Sequence, residues 1–324
     1  MKILYGYRNL SEKLRDPIVA IGIFDGIHIG HKRVIKKILN LQEPGRDKVV
    51  VTFDPHPRTV LRPQKTSPRI MSLEHRLYIL RKMGLDAAVI IRFTDFVAAM
   101  TPEDFIRRVL GGIGARKVYV GSNFHFGRGK SGNVETFERI GRDCGIDVRT
   151  VKAVKKRGRV ISSTWLRKLI SSGKIEKAEK LLRRPVSVLG TVVGGDSRGK
   201  GLGVPTANID PHQEVIPPPG VYAVKVDIDG QLFDGILNIG FKPTFYGRRL
   251  KKRREPQIEA HVIGFKGDLY GRSVEIFFIK RLRHEKRFRN EEMLKKQIRR
   301  DAEHAKKILA SKKVLHKIRK YKYI

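Results

Sequence analysis

Short apolar runs alternate with amphipathic stretches along the first half of the chain. The apolar runs have the length and β-branched composition of buried strands, and the stretches between them repeat apolar residues at helical spacing. The predicted strands are Ile18–Phe24, Lys48–Phe53, Ala87–Phe93, Lys117–Val120 and Ile146–Val151. The predicted helices are Lys32–Leu41, Leu73–Met83, Pro102–Leu110 and Val134–Cys144. This alternation predicts a Rossmann-like α/β domain, in which a parallel sheet has helices on both faces.

The pattern changes after Arg184-Pro185, to which two more helical stretches lead, Ser163–Ser171 and Ile175–Leu182. Short β-rich runs separated by Gly, Pro or Asp then follow. They are Val186–Val193, Gly220–Ile228, Gln231–Leu237, Ile258–Ile263 and Ser273–Ile279. Such runs predict a small antiparallel β-barrel, with Asp229-Gly230 as a hairpin turn. We therefore predict two domains, residues 1–184 and residues 185–324.

A C-terminal helix is predicted after the barrel. Asn290 is placed to cap it, and Glu291 and Glu292 fall in its first turn, where acidic side chains stabilise a helix. The last residues, Ser311–Ile324, are basic, and we expect them to fray.

Charge is the unusual feature of the composition. The 324 residues include 69 Lys and Arg against 32 Asp and Glu, which gives a net charge of +37. Basic residues are concentrated in Arg248–Arg254 and from Lys295 onward. An anionic partner is one explanation, and a nucleotide, a flavin phosphate, a nucleic acid or an acidic membrane surface would qualify. A solvated surface in a proteome rich in Lys and Arg is the simpler explanation. We expect any nucleic acid to bind only non-specifically.

Other features of the composition place the protein in the cytoplasm. No apolar run approaches the ~20 residues that span a bilayer, and the first residues turn polar too soon for a secretory signal. The single cysteine, Cys144, excludes an internal disulfide. We therefore predict a cytoplasmic protein without a membrane partner.

The most informative segment is His28-Ile29-Gly30-His31, which follows the first predicted strand through Asp25-Gly26 and opens a helix. Helix-start amides and two imidazoles would converge there on the phosphates of a nucleotide. Adenylyl transfer needs such donors, because negative charge grows on the departing pyrophosphate. The alternative is a pair of surface or helix-capping histidines.

Two later segments of the first half have phosphate-binding character. Gly121-Ser122-Asn123 follows a strand, and the glycines at 127, 129 and 132 permit a loop that approaches a ligand closely. Ser162-Ser163-Thr164 precedes a helix, so it can cap that helix and also bind an anion. His56, between two prolines, has either a structural role or a contact with substrate.

The barrel region contains a third candidate segment, Gly190–Asp210. Its many glycines, with Arg198 and Lys200, suggest a flexible loop around phosphates. Thr206 and Asn208 offer the hard oxygen ligands that suit Mg²⁺ bridging the phosphates of ATP. An ordinary barrel hairpin with a polar turn is the alternative.

These segments resemble, in order and spacing, the prokaryotic bifunctional riboflavin kinase/FMN adenylyltransferase family, also called FAD synthetase. In the first half the resembling stretches are GIFDGIHIGH (22–31), TFDPHP (52–57), GSNFHFGRGKSGN (121–133) and ISSTWLRK (161–168). In the second half they are LGVPTAN (202–208), PPGVYAV (218–224), NIGFKPTF (238–245), IEAHVIGFKGDLYG (258–271) and FIKRLRHEKRF (278–288).

The resemblance implies a role for each candidate site. His28 and His31 would bind ATP phosphates during adenylyl transfer, and Glu259 would be the general base for the riboflavin 5′-hydroxyl. Thr206 and Asn208 would bind ATP with Mg²⁺. The implied nucleotide- and phosphate-binding residues are Gly22, Phe24, Asp25, Gly26, Asn123, Ser162, Ser163, Thr164, Arg167, Gly199 and Gly201.

The implied function is flavin-nucleotide synthesis in a Rossmann-like nucleotidyltransferase domain and a riboflavin kinase barrel. Riboflavin would be phosphorylated by ATP to FMN, and FMN would be adenylylated by ATP to FAD with release of pyrophosphate. Flavins are then substrate and product rather than a permanent cofactor. The chain departs from the family pattern at Lys242, where arginine is frequent, in the very basic Arg248–Arg254, and in its basic end after Lys306.

Two alternatives belong to other classes of function. HIGH also occurs in class I aminoacyl-tRNA synthetases, although a KMSKS-like loop and an anticodon-binding domain are not evident in this sequence. An RNA-binding or regulatory protein with degenerate catalytic sites is the non-enzymatic alternative, against which the intact His28, His31, Thr206, Asn208 and Glu259 argue.

Overall fold

The computed structural model of the chain describes residues 1–65, 68–194, 206–241, 256–286, 288 and 290–322. The chain divides into two units, the first made of residues 1–68 and 73–165, the second of residues 69–72 and 166–324. The domain boundary predicted between residues 184 and 185 stays a prediction.

The first unit is built on a parallel sheet of six described strands. They are β1 (Lys2–Tyr5), β2 (Ile18–Ile21), β3 (Lys48–Asp54), β4 (Ala87–Arg92), β5 (Lys117–Gly121) and β6 (Asp147–Val151). Their order across the sheet is β1-β4-β3-β2-β5-β6. Every residue of β2 is buried, as central strands covered on both faces must be. The predicted fold class is confirmed, and the short edge strand β1 adds to it.

Helices connect these strands. They are α1 (Ile29–Leu39), α2 (Pro57–Leu61), α3 (Leu73–Lys82), α4 (Asp95–Ala99), α5 (Pro102–Asp104), α6 (Gly111–Ile113) and α7 (Val134–Asp143). A π-helical stretch, Phe105–Leu110, joins α5 to α6, and Thr101 caps α5 by accepting the Asp104 N–H at 3.1 Å. Short 3₁₀ turns lie at Pro63–Lys65 and Arg128–Lys130, and a small hairpin consists of β7 (Lys155–Lys156) and β8 (Arg159–Val160).

The second unit contains a closed antiparallel barrel, which confirms that prediction. Its strands are β9 (Val186–Val193), β10 (Ala207–Asp210), β11 (Gly220–Ile228), β12 (Gln231–Gly240), β13 (Gln257–Ile263) and β14 (Ser273–Arg283), in the order β10-β13-β12-β11-β14-β9. Asp229 and Gly230, at φ 50° and 86°, make the predicted hairpin turn between β11 and β12. Helices α8 (Ser163–Ser171) and α9 (Ile175–Leu182) precede β9 with their predicted bounds.

Gly190 is a strand residue of β9 and not part of a phosphate loop, so that expectation is wrong for this glycine. A Cβ at this position would overlap the Ile209 side chain and the Asp210 carbonyl on neighbouring β10. The glycine is therefore explained by close packing of two strands.

Two helices follow the barrel, α10 (Glu291–Leu309) and α11 (Lys312–Lys322). Asn290 caps α10 as predicted, since its Oδ1 accepts the Met293 N–H at 2.9 Å. The expectation that Ser311–Ile324 frays is wrong as far as Lys322, because this segment forms α11.

Helix α11 is held by apolar residues at helical spacing within its basic sequence. Val314, Ile318 and Tyr321 are buried. The Tyr321 hydroxyl donates a hydrogen bond to Glu275 Oε1 at 2.9 Å, and its ring meets Phe277 edge-on at 5.3 Å. Helices with the length and hydropathy of a membrane span are absent from the part of the chain that the structure describes.

Candidate active sites

A strained turn carries the chain from β2 into α1. Phe24, Gly26 and Ile27 have φ values of 53°, 88° and 40°, a region that β-branched residues such as Ile27 rarely enter. The predicted strand Ile18–Phe24 therefore ends early, at Ile21. Strain of this kind persists where the surroundings over-determine the backbone, which is common at functional sites.

The turn delivers two stacked histidines to the start of α1. The rings of His28 and His31 lie 3.7 Å apart with an interplanar angle of 16°. His28 caps the helix, because its Nδ1 accepts the His31 N–H at 3.3 Å. A Cβ on Gly30 would lie 3.0 Å from His28 Cε1, so a larger residue would displace this imidazole. The absence of a side chain at Gly30 therefore allows the His28 ring to take its position beside the helix start.

Both imidazoles are uncharged at neutral pH. Burial lowers the pKa of His28 from its ordinary 6.5 to about 4. Burial lowers the pKa of His31 well below its ordinary value, and the repulsion that a protonated His28 and the Arg76 guanidinium would exert adds to this shift. Because His28 Nδ1 is an acceptor, the proton of the neutral ring is assigned to Nε2, which can donate to a phosphate oxygen.

The segment before α8 lies against this turn. The Ser163 hydroxyl donates to the Asp25 carbonyl at 2.8 Å, and Ser162 Oγ caps the helix by accepting the Trp165 N–H at 3.3 Å. The Ile161 carbonyl is 4.0 Å from the Cβ position of Gly30. Two helix starts therefore meet beside the histidines, and helix starts favour anions.

The other residues of this candidate site are less closely tied to the histidines. Gly22 leaves room for the Phe24 ring, which would lie 3.1 Å from a Cβ there. Thr164 is exposed at the start of α8, and Arg167 stands one turn later, within the second unit, where its role stays a prediction.

Asn123 is exposed just after β5, which neighbours β2 in the sheet, so its loop leaves the same carboxyl edge as the histidine turn. The loop is anchored by aromatic packing that the sequence did not indicate. Phe124 and Phe126 stack at 5.6 Å, and Phe126 packs on Phe137 of α7 at 4.9 Å.

His56 caps α2 by accepting the Arg58 N–H at 3.1 Å. This contact gives His56 a structural role, and a contact with substrate stays a prediction.

Sequence reasoning missed two residues that brace the histidine turn. The Ile23 carbonyl accepts hydrogen bonds from Thr52 Oγ1 at 3.1 Å and from Arg76 Nη1 at 2.6 Å. Arg76 is a buried arginine within an amphipathic helix pattern, and its position relative to the turn depends on tertiary packing.

The barrel brings three polar residues into one row. Glu259 on β13 pairs with Asn208 on β10 and with Asn238 on β12. All three are half-buried, while Ile258 and Ala260, which alternate with Glu259, are buried inside the barrel. A carboxylate flanked by two amides on an accessible face can accept a proton from a hydroxyl and bind a polar ligand.

A second carboxylate lies at the end of this row. A Cβ on Gly240 would overlap Glu285 Oε1 and would lie 3.3 Å from Asn238 Nδ2, so the glycine makes room for Glu285. Neither Asn238 nor Glu285 was indicated by sequence spacing. Thr206 is exposed before β10. Gly199, Gly201, Lys242 and the basic stretch 248–254 lie outside the described residues.

Among the residues that the structure describes, no three His, Cys, Asp or Glu side chains cluster as metal ligands. A row of one carboxylate and two amide oxygens instead suits a cation that arrives with nucleotide phosphates, as Mg²⁺ does in proteins.

Comparison with known proteins assigns both halves of the chain. A family model described as FAD synthetase matches residues 10–165, and one described as riboflavin kinase matches residues 182–309. A Streptococcus pneumoniae crystal structure described as a macrolide-efflux protein has a TM-score of 0.79 and 26% identity, and the match covers 94% of this chain and 99% of that structure's chain.

Two bacterial relatives carry the name bifunctional riboflavin kinase/FMN adenylyltransferase. That of Bacillus subtilis is 32% identical over 307 residues, which cover 94% of this chain and 96% of the relative. That of Escherichia coli K12 is 34% identical over 308 residues, covering 93% and 96%. Because two family models match successive parts of the chain and relatives match it over nearly its whole length, the chain belongs to the bifunctional riboflavin kinase/FMN adenylyltransferase family.

Proposed function

We infer that this chain makes FAD from riboflavin in two ATP-dependent steps. The second unit phosphorylates riboflavin to FMN, and the first unit joins AMP to FMN and releases pyrophosphate. The observation that carries the adenylyl-transfer assignment is the stacked, uncharged pair His28 and His31 where two helix starts meet.

In the adenylyl-transfer step, a phosphate oxygen of FMN attacks the α-phosphorus of ATP, and the bond to the bridging oxygen of the β-phosphate breaks. The attacking phosphate is already anionic, so no base has to remove a proton. The Nε2–H of His28 and the amides at the starts of α1 and α8 would donate hydrogen bonds to the charge that grows on pyrophosphate. Neutral donors avoid the repulsion that two charged rings 3.7 Å apart would suffer.

In the kinase step, the riboflavin 5′-oxygen attacks the γ-phosphorus of ATP, and ADP leaves. The carboxylate of Glu259 would accept the hydroxyl proton, and Asn208 and Asn238 flank it in the strand register. Thr206 and Asn208 would hold Mg²⁺ together with the ATP phosphates, where the cation neutralises phosphate charge. Glu285 and Asn238 both lie beside Gly240, so a second carboxylate stands at the end of the row.

The experiment uses the purified full-length protein with riboflavin, ATP and Mg²⁺, and separates the flavins by chromatography. His28→Ala should lower FAD formation about 10²–10³-fold while FMN accumulates. Glu259→Gln should lower FMN formation about 10²–10⁴-fold, yet supplied FMN should still become FAD. The exposed residues His304 and Glu303 provide matched controls as His304→Ala and Glu303→Gln, which should change neither step.

The two-site proposal fails if either active-site variant stays folded and loses both activities. It also fails if the unaltered protein makes neither FMN nor FAD. Cytoplasmic localisation and non-specific contact with nucleic acid remain predictions from the sequence.

A further inference from the structure

Arg76 lies behind the histidine pair, on α3, with 5% of its surface exposed. Its Nη1 donates to the Ile23 carbonyl at 2.6 Å, and its Nη2 donates to the Phe53 carbonyl at 3.3 Å. Asp54 Oδ1 is 3.9 Å from Nη2. One guanidinium thus joins the turn after β2 to the end of β3, a two-pronged contact that its planar fork suits.

The contact continues from Arg76 to the imidazoles. Ile23 immediately precedes Phe24, a buried residue whose backbone has φ 53°. The Phe24 ring meets the ring of His31 edge-on, with centroids 5.4 Å apart. Moving the Ile23 carbonyl would therefore move Phe24, whose ring packs against His31.

Arg76 also places a permanent charge beside neutral rings. Burial is the main cause of the lowered pKa of His31, and the positive charge of Arg76 contributes to it as well. An anionic substrate that meets two uncharged imidazoles still needs positive potential, and a buried guanidinium is weakly screened by solvent.

We propose that Arg76 is a positioning residue for adenylyl transfer, fixing the Ile23–Phe24 turn that supports His31 and supplying lasting positive charge behind the histidine pair. The inference rests on the proposed role of His28 and His31 in binding ATP phosphates. Neither the spacing of the motif nor the family resemblance assigned a role to this arginine.

The test compares Arg76→Lys and Arg76→Gln in the full-length protein. Arg81→Gln, on the exposed side of the same helix, is the matched control. FAD formation from FMN and ATP gives kcat and KM, and riboflavin phosphorylation by the same chain is the internal control. The imidazole signals of His28 and His31 are titrated by NMR in each variant.

Arg76→Gln should lower kcat for FAD formation about 100-fold, as a small displacement of catalytic groups does, and should leave KM for FMN nearly unchanged. The midpoint of the His31 titration should rise. Arg76→Lys keeps the positive charge and loses the two-pronged guanidinium contact. Its kcat should therefore lie between those of the unaltered protein and Arg76→Gln, and the midpoint of the His31 titration should stay low. Riboflavin phosphorylation should be unchanged throughout.

Wild-type kcat in Arg76→Gln overturns the proposal. An equal loss in both variants with an unmoved His31 titration refutes the role of the charge. If Arg76→Gln does not fold, wild-type kcat in Arg76→Lys refutes the role of the fork. Retained FAD formation in His28→Ala would instead overturn the proposed function, so the two failures are distinguishable.

Discussion

Mild acid should weaken the first unit before its carboxylates begin to titrate, because His28 is buried without charge. The imidazole of His28 has a folded-state pKa of about 4, against an ordinary 6.5. Between these values the unfolded chain binds a proton that the folded chain does not, so stability rises with pH there. The contribution of the neutral His28 to the free energy of unfolding is fully present above pH 6.5 and is lost as the pH drops from 6.5 toward 4.

The size of the effect follows from the shift. Each unit of pKa difference corresponds to about 1.4 kcal/mol, so His28 alone should cost about 1.4 kcal/mol between pH 7.5 and pH 5.5. The whole shift of His28 corresponds to roughly 3 kcal/mol at pH 4. His31, whose pKa burial also lowers, acts in the same direction as the pH falls below 6.5.

The single tryptophan of the chain, Trp165, lies in the first unit and makes the assay selective. Urea unfolding followed by its fluorescence at pH 7.5 and pH 5.5 gives the change in the free energy of unfolding. His28→Asn keeps a side chain that caps helices well and removes the titration, so the loss between the two pH values should shrink. His125→Asn, at an exposed position of the same unit, should leave the loss unchanged. Equal pH dependence in His28→Asn and the unaltered protein would show that His28 is not held neutral by burial.

Two further predictions concern the second unit. Tyr321→Phe removes a buried hydrogen bond to Glu275 and should lower the free energy of unfolding by about 2 kcal/mol in a thermal melt, whereas Tyr270→Phe, which is 69% exposed, should not. Asp301→Asn breaks a partly buried ion pair in which Arg283 Nη2 donates to Asp301 Oδ2 at 2.8 Å, and should cost about 3 kcal/mol. The double variant Asp301→Leu/Arg283→Met should recover much of that loss of stability. A double variant no more stable than Asp301→Asn would show that the loss does not come from leaving Arg283 without its partner.

Local pattern was enough to predict most elements of the first unit, because buried strands of a parallel sheet are continuous apolar runs. The predicted bounds are wrong for β2 and α1, where the backbone enters a turn with positive φ values. The strand predicted to reach Phe24 ends at Ile21, since the following turn needs positive φ at Phe24 and Ile27. Helix α1 begins at Ile29, three residues before the predicted Lys32, because His28 caps it, a role that histidine seldom takes.

The C-terminal segment shows the opposite error, in which charge concealed a pattern. Ser311–Ile324 is so basic that fraying was expected, yet Val314, Ile318 and Tyr321 recur at helical spacing and are buried. Tyr321 meets Glu275, a buried carboxylate on β14, at a distance of 46 residues along the chain. Composition could not reveal that contact, because it depends on where the barrel places Glu275.

The polar row of the barrel shows why the candidate kinase site could be predicted only in part from sequence. Glu259, Asn208 and Asn238 all stand in stretches that resemble the family, but only strand register reveals that Asn238 lies beside the other two, because the three residues are on different strands. Register is constrained because the alternating residues Ile258 and Ala260 fill the barrel interior. A slip of one residue in β13 would turn Ile258 toward solvent and bury Glu259 without a partner, which is costly. Closure of the apolar core therefore holds the carboxylate between its two asparagines, and packing and chemistry at this site are set by the same register.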